Sequence, residues 1–421
     1  MISGKRLIIS FSALMIMTGP VLAQQLIKTD TSHYLTLRID PENANGATAA
    51  QVFDEVKYIP LETTPESLFG SIGQLEVFEG GVIILDNSTN CILIFSKDGK
   101  FHAKIKGNAD KIRYPIRCLA INKWTKQIVY TGDRNKSFTY CDLDGKEVKK
   151  VEYGRLKNDE LGVDKYYYIA PDKIVNYAGY NDIDSTDKRY NWFSQSALQY
   201  AKNIKTVYAK GMVYKTAKNT MDMGRRPFTN WDNDTTFYLS AMWPYRIYTI
   251  TPNAIKLSYK FIFPLLSTLD EGLITNLNKD PTVLMDFFQK HKKEVYALDN
   301  CYKAGNNLLF EAKTWELGLE EALIYNLKSG TLIAYQHISP DESTCFLPLY
   351  DRKGIVDAGR GVINCDGKNV YVSISSLGMF TAKNDYSDKA VKYPAALAQY
   401  FTKGNIKDNP IILQLKLKDK L

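Results

Sequence analysis

VIILDNSTNCILIFSKDGKFHAKIK, residues Val82–Lys106, is the stretch that decides the fold. Apolar and polar side chains alternate along it, break at Asn87–Asn90, alternate again, break at Asp98-Gly99 and alternate a third time. A period of two places successive side chains on opposite faces of a strand. Asp-Gly supplies the positive φ that a two-residue hairpin needs, so the stretch predicts three short antiparallel strands. One such unit cannot bury its own faces, and it therefore calls for neighbours of the same kind.

Those neighbours follow downstream. Strand-like runs recur at Ile116–Asn122, Gln127–Gly132, Ser137–Leu143 and Glu147–Tyr153. Tyr140, Tyr248 and Tyr325 each stand five residues before Gly145, Asn253 and Gly330, turn residues that tolerate positive φ. Units are expected at Gly70–Lys106, Tyr114–Tyr153, Asp164–Met212, Met223–Phe263, Val295–Ile338 and Gly361–Lys418. Four-stranded units of about 40–50 residues are the blades of β-propellers. Pro410–Leu417 (PIILQLKL) is a strand near one end, and Val52–Glu62 (VFDEVKYIPLE) is a strand with no blade of its own. Pairing these two would remove an exposed sheet edge. The expectation is an all-β chain: a six-bladed β-propeller over 51–421, closed by an N-terminal strand, with short helical insertions on one face.

The entry VKYIPLETTPESLFGSIGQL, the first blade ILDNSTNCILIFSKDGKF and the exit DNPIILQLKLK resemble a family of exported bacterial six-bladed β-propellers related in architecture to NHL-repeat proteins. The likeness covers most of Val52–Leu421. The family usually carries a Gly-rich loop between the first two blades; here Gly107–Tyr114 keeps the tyrosine and loses most glycines. The resemblance implies a fold and hardly any function, since propellers host many activities.

Residues 1–23 predict a secretory signal peptide. Lys5 and Arg6 are its basic start, Leu7–Met17 is mostly apolar, and Val21-Leu22-Ala23 is a small-residue cleavage site. No lipobox cysteine stands there, and residues 24–50 read as an N-terminal extension. The expected address is periplasmic or secreted, with no transmembrane segment and a monomeric state. Without Lys5 and Arg6 the chain has 52 basic and 46 acidic residues, interspersed rather than striped, which excludes a nucleic-acid surface. The six cysteines show no C-x-x-C or metal-ligand spacing and mostly sit in strand-like runs. They are expected as free core thiols with at most one disulfide.

Strand parity predicts where a ligand would bind. With strands A to D in each blade, the B–C turns and D–A connections share one face; the C–D turns, such as Asp98-Gly99 and Ser329-Gly330, share the other. The first face collects the insertions: Asn181–Asn191, Pro264–Glu294 with helical spacing over Pro281–Lys293, and Lys383–Asp408 with a helix at Tyr393–Thr402. It should also display Asn87, Asn90, Arg113, Tyr114, Asp133, Arg134, Trp243, Tyr245, Arg246, Trp315 and Glu316. Of these, Arg113, Tyr114, Arg134, Trp243, Tyr245, Arg246 and Trp315 are the candidate ligand-binding residues. An aromatic platform edged with arginine suits a carbohydrate, peptide or protein partner.

Catalytic residues are not predicted. His33, His102, His291 and His337 lie far apart, and neither an H-E-x-x-H nor a G-x-S-x-G pattern occurs. No cofactor is expected. The only weak metal candidates are Asp182, Asp184 and Asp187, whose oxygens suit Ca²⁺ but which lack the glycine and terminal glutamate of a calcium loop. The reading is a non-catalytic exported binding protein. The alternative is a propeller-type lyase or hydrolase, possibly metal-dependent, acting at the channel mouth.

Overall fold

The computed structural model describes residues 25–112, 114–132, 137–152, 166–171, 173–176, 193–199, 202–208, 228–230, 236–240, 245–270, 286, 289–316, 321–351 and 363–421. Its N-terminal part carries five strands, β1 (Gln25–Ile27), β2 (Thr29–Asp30), β3 (Leu35–Arg38), β4 (Asn45–Thr48) and β5 (Phe53–Pro60), with a one-turn helix α1 (Ala49–Val52) before the last. The first sheet follows as β6 (Gln74–Phe78), β7 (Gly81–Asp86), β8 (Cys91–Phe95) and β9 (Phe101–Lys106). Val82–Lys106 is thus the last three strands of this sheet. Asp86 pairs with Cys91 across one turn, and Gly99 has φ 77 in the other.

The pattern repeats. The second sheet is β10 (Leu119–Asn122), β11 (Gln127–Gly132), β12 (Ser137–Cys141) and β13 (Glu147–Glu152). The third is β14 (Tyr166–Ala170), β15 (Lys173–Asn176), β16 (Phe193–Gln199) and β17 (Lys202–Tyr208). The fourth is β18 (Phe228–Asn230), β19 (Phe237–Ser240), β20 (Arg246–Thr251) and β21 (Ala254–Ile262). The fifth is β22 (Ala297–Ala304), β23 (Asn307–Lys313), β24 (Glu321–Asn326) and β25 (Leu332–Ser339). The sixth has β26 (Asn364–Cys365), β27 (Asn369–Ile374) and β28 (Ile411–Leu417), with β5 as its fourth strand, antiparallel to β28 from Phe53↔Leu417 to Pro60↔Ile411. Every consecutive pair within the six four-strand sets is antiparallel, the arrangement of a β-propeller-like chain.

First strands touch from the fourth sheet through the fifth, sixth, first and second to the third, and side-chain amides satisfy some of their edge groups. Asn364 Nδ2 donates to Leu75 O at 2.8 Å, Gln74 Nε2 to Leu119 O at 2.7 Å, and Asn122 Nδ2 to Pro171 O at 2.9 Å. Between the fifth and sixth sheets the Tyr302 hydroxyl donates to Ile363 O at 3.3 Å. An unpaired buried carbonyl costs free energy comparable to a lost hydrogen bond. These polar residues on otherwise apolar strands therefore stitch sheet to sheet.

The extension 24–50 is built into the sheets. β1 lies parallel to β17, β2 and β3 parallel to β21, and β4 parallel to β25. Ile27, Leu37 and Ile39 are buried by this course. The segment covers the outer edges of the third, fourth and fifth sheets in turn, and β5 then becomes the outer strand of the sixth.

Two helices lie within the β27–β28 connection, α2 (Ser376–Asp385) and α3 (Ala395–Lys403). Ser375 caps the first by accepting from Gly378 N at 3.1 Å, and Leu397, Tyr400 and Phe401 are the buried face of the second. The expected helix at Tyr393–Thr402 corresponds to α3; Pro281–Lys293 lies mostly outside the described residues. Among the described residues no helix is long and apolar enough to cross a membrane.

All six cysteines are free, five of them buried, and burial pushes the Cys141 thiol up to about 11. Thiol titration should therefore find six reactive groups per chain in denaturant and at most one, Cys345, reacting promptly in the native protein. A mobility difference between reduced and non-reduced electrophoresis would contradict this pairing-free core.

Candidate functional site

The insertion-bearing end is defined by the second-to-third strand turns and the connections between sheets. Six residues proposed from sequence fall outside the described residues: Arg113, Arg134 and Trp243 of the ligand set, and Asp182, Asp184 and Asp187 of the metal set. Asp133 and the insertion Asn181–Asn191 lie outside as well.

Tyr114 is half-buried in the β9–β10 connection, its N–H donating to Asp110 O at 2.9 Å. Its carbonyl accepts from Asn90 Nδ2 at 3.3 Å. Asn90, expected on display, is instead a buried clamp: Nδ2 also donates to Asn108 O at 3.0 Å, and Oδ1 accepts from Ile116 N at 2.7 Å. Its φ of 54 explains why a short amide-bearing side chain suits the position. Asn87 remains exposed.

Tyr245 is 4% exposed and has little surface to offer a ligand. Its hydroxyl donates to Val295 O and accepts from Leu269 N at 3.1 Å, and its ring meets Phe263 edge-on at 4.9 Å. Burial, followed by the nearby Glu294 carboxylate, holds its pKa well above the usual phenol range, although the Leu269 N–H works the other way. It pins the β19–β20 turn of the fourth sheet to the chain entering the fifth. Arg246 opens β20, is half-buried, and its Nε has no acceptor among the described residues.

Trp315 lies half-buried in the β23–β24 connection. Its backbone N–H and that of Glu316 both donate to Lys292 O, at 2.9 and 3.0 Å. Its ring lies 5.2 Å from that of Tyr296, with 34° between the planes. His291 Nδ1 and Glu294 Oε1 are 2.7 Å apart at the same place. Two of the sequence candidates thus converge on the short segment Glu294–Tyr296: Tyr245 through Val295 and Trp315 through Tyr296.

On β23, sequence reasoning missed a charged group. Lys313 Nζ lies 2.6 Å from Glu311 Oε2, and Asn300 Nδ2 donates to Glu311 Oε1 at 2.8 Å. Asp299 faces Glu311 across the β22–β23 pair, and both carboxylates are buried. Burial raises the Glu311 pKa; Lys313 opposes that shift and Asp299 adds to it. The register slips between Asp299 and Tyr302, with Asn300 at φ 45, so alternation fails on β22, whereas β23, which carries Glu311, keeps its register. The signal available in the sequence was Asp-Asn inside an apolar strand.

The site therefore offers two half-buried rings side by side and a buried carboxylate–lysine pair on the strand that leads to them. Among the described residues no three His, Cys, Asp or Glu side chains gather as metal ligands.

A protein described as exported, from Bacteroides fragilis, superposes with a TM-score of 0.61 at 14% identity, covering 94% of this chain and 100% of that one. A DUF4221 family member from Bacteroides vulgatus gives 0.47 at 9% identity, covering 87% and 98%. A β-propeller domain from Myceliophteria thermophila gives 0.33 at 11% identity, covering 66% and 88%. No curated protein matches this chain. Residues 36–416 match the domain of unknown function DUF4934, and the chain belongs to that family.

Proposed function

We propose that the chain is a six-bladed β-propeller, NHL-like in architecture, closed by β5, that is exported and binds a carbohydrate or peptide at its insertion-bearing end. The observation that carries this reading is the Tyr296–Trp315 ring pair, held by two backbone hydrogen bonds to Lys292 O. A pre-anchored aromatic surface stacks on a sugar face or an apolar side chain at little entropic cost. A protein partner uses the same surface in a wider version of this reading. Export is supported by the leader-like residues 1–23.

Thermal-shift screening against oligosaccharides and peptides tests it. A ligand at about 100 times its Kd adds about 2.7 kcal/mol of stability, a shift of several degrees. Trp315→Ala should abolish that shift while leaving the unliganded melting temperature within a few degrees of wild type. An equal ligand shift in the variant would remove Trp315 from the site.

One observation favours the lyase or hydrolase alternative: a buried carboxyl of raised pKa, Glu311, is the kind of group that serves as a general acid. Glu311→Gln keeps the shape and removes the proton; loss of a turnover that Trp315→Ala only weakens would favour the enzyme.

A further inference from the structure

A second aromatic site lies where the β25–β26 connection meets the insertion between β27 and β28. After β25 the chain makes one 3₁₀ turn, Glu342–Thr344. Asp341 caps it, accepting from Ser343 N at 2.9 Å and from Ala50 N at 2.7 Å. Cys345 and Phe346 then both take the left-handed conformation, with φ 53 and 57. Two consecutive side-chain-bearing residues in that region are strained, and such strain persists only where its surroundings impose it.

The result sets the Phe346 ring beside Tyr386, the residue that ends α2, with centroids 5.7 Å apart and planes 29° apart. Lys389 N donates to Tyr386 O at 3.1 Å, turning the chain back on itself. The Lys389 ammonium sits 3.6 Å from the Phe346 centroid and 5.2 Å from that of Tyr386. Asp385 and Asp388 are close in sequence, yet Lys389 forms no ion pair with either; its charge rests on ring faces instead.

We propose that Phe346 and Tyr386 form a binding site for a quaternary ammonium group, with Lys389 as its resident competitor. The lysine shows which chemistry the rings accept: a cation over the negative face of a π system. A methylated ammonium is larger and less strongly hydrated than Lys389, so it loses less solvation on reaching the rings. Tyr386 and Lys389 are both exposed, and rotation of the lysine into solvent opens the rings without moving the backbone.

Choline and its uncharged carbon isostere are the probes, followed by saturation-transfer NMR on the whole chain. Choline should bind weakly to wild type and about two- to five-fold more tightly to Lys389→Ala, the ratio that ~0.5–1 kcal/mol of exposed cation–π attraction represents. Lys389→Arg should behave as wild type. Phe346→Leu keeps an apolar side chain at the strained position and should lose the choline signal with an unchanged melting curve; Tyr386→Ala should lose it too. Equal binding of the uncharged isostere, or unchanged choline affinity in Lys389→Ala, would overturn the proposal.

Discussion

Gly99→Ala should destabilise the protein by about 3 kcal/mol or more, the sum of a left-handed backbone, a steric clash and a weakened hydrogen bond. Gly99 has φ 77, and a Cβ added there would lie 2.1 Å from Pro60 O. Its own carbonyl accepts from Glu62 N at 2.8 Å, so the turn cannot retreat without breaking the seam between the first sheet and the end of β5. Gly330→Ala is the control. Its φ is 76, but a Cβ there meets only the Tyr325 hydroxyl, at 3.7 Å. That variant should lose about 1 kcal/mol, the backbone cost alone. Chemical denaturation of both variants checks the contrast, and equal losses would mean that the close approach at Pro60 contributes nothing.

Deleting residues 24–48 should turn the protein from a single species into one whose size in light scattering grows with concentration. The deletion keeps β5 and all six four-strand sets but bares the outer strands β17, β21 and β25. It also exposes apolar surface around the places of Ile27, Leu37 and Ile39. Bare strand edges pair with other bare edges, which natural sheets block with charge, bulges or a covering segment. The outer strand of the second sheet, β13, carries Glu147, Lys149, Lys150 and Glu152 and so has charge of its own. A truncated protein that stays at one size over a hundredfold concentration range would show that the covering segment is dispensable for solubility.

The six sets of strands were legible because period-two alternation and Asp-Gly turns are local signals. The same holds for the pairing of Val52–Glu62 with Pro410–Leu417, two apolar strands each lacking a neighbour. The covering segment was legible only as an N-terminal extension of residues 24–50. β1 to β4 are two to four residues long, too short for periodicity to register, and each pairs with a partner far along the chain. At the site, Trp315 and Arg246 were legible as an aromatic and an arginine in a turn. Tyr245 was legible as an aromatic residue of the same turn as Arg246, but nothing local foretold that its hydroxyl would be used up by Val295 and Leu269. Asp299 and Glu311 escaped notice because β22 and β23 are buried on both faces, so an acidic residue there is not marked by the two-residue period. Phe346 and Tyr386 are 40 residues apart and meet only through the fold.

The course of β1 to β5 also sets a timetable. These strands are made first, yet their partners come late: β1 waits for Lys202–Tyr208, β4 for Leu332–Ser339, and β5 for Ile411–Leu417, more than 350 residues after Phe53. At roughly 5–20 residues per second of synthesis, β5 stays unpaired for about 20–70 seconds. Such long-range pairing makes final assembly slow compared with local hairpin formation. The sixth sheet is therefore completed only once residues 411–417 have been made, and until then the strand order leaves β5 open to any other partner.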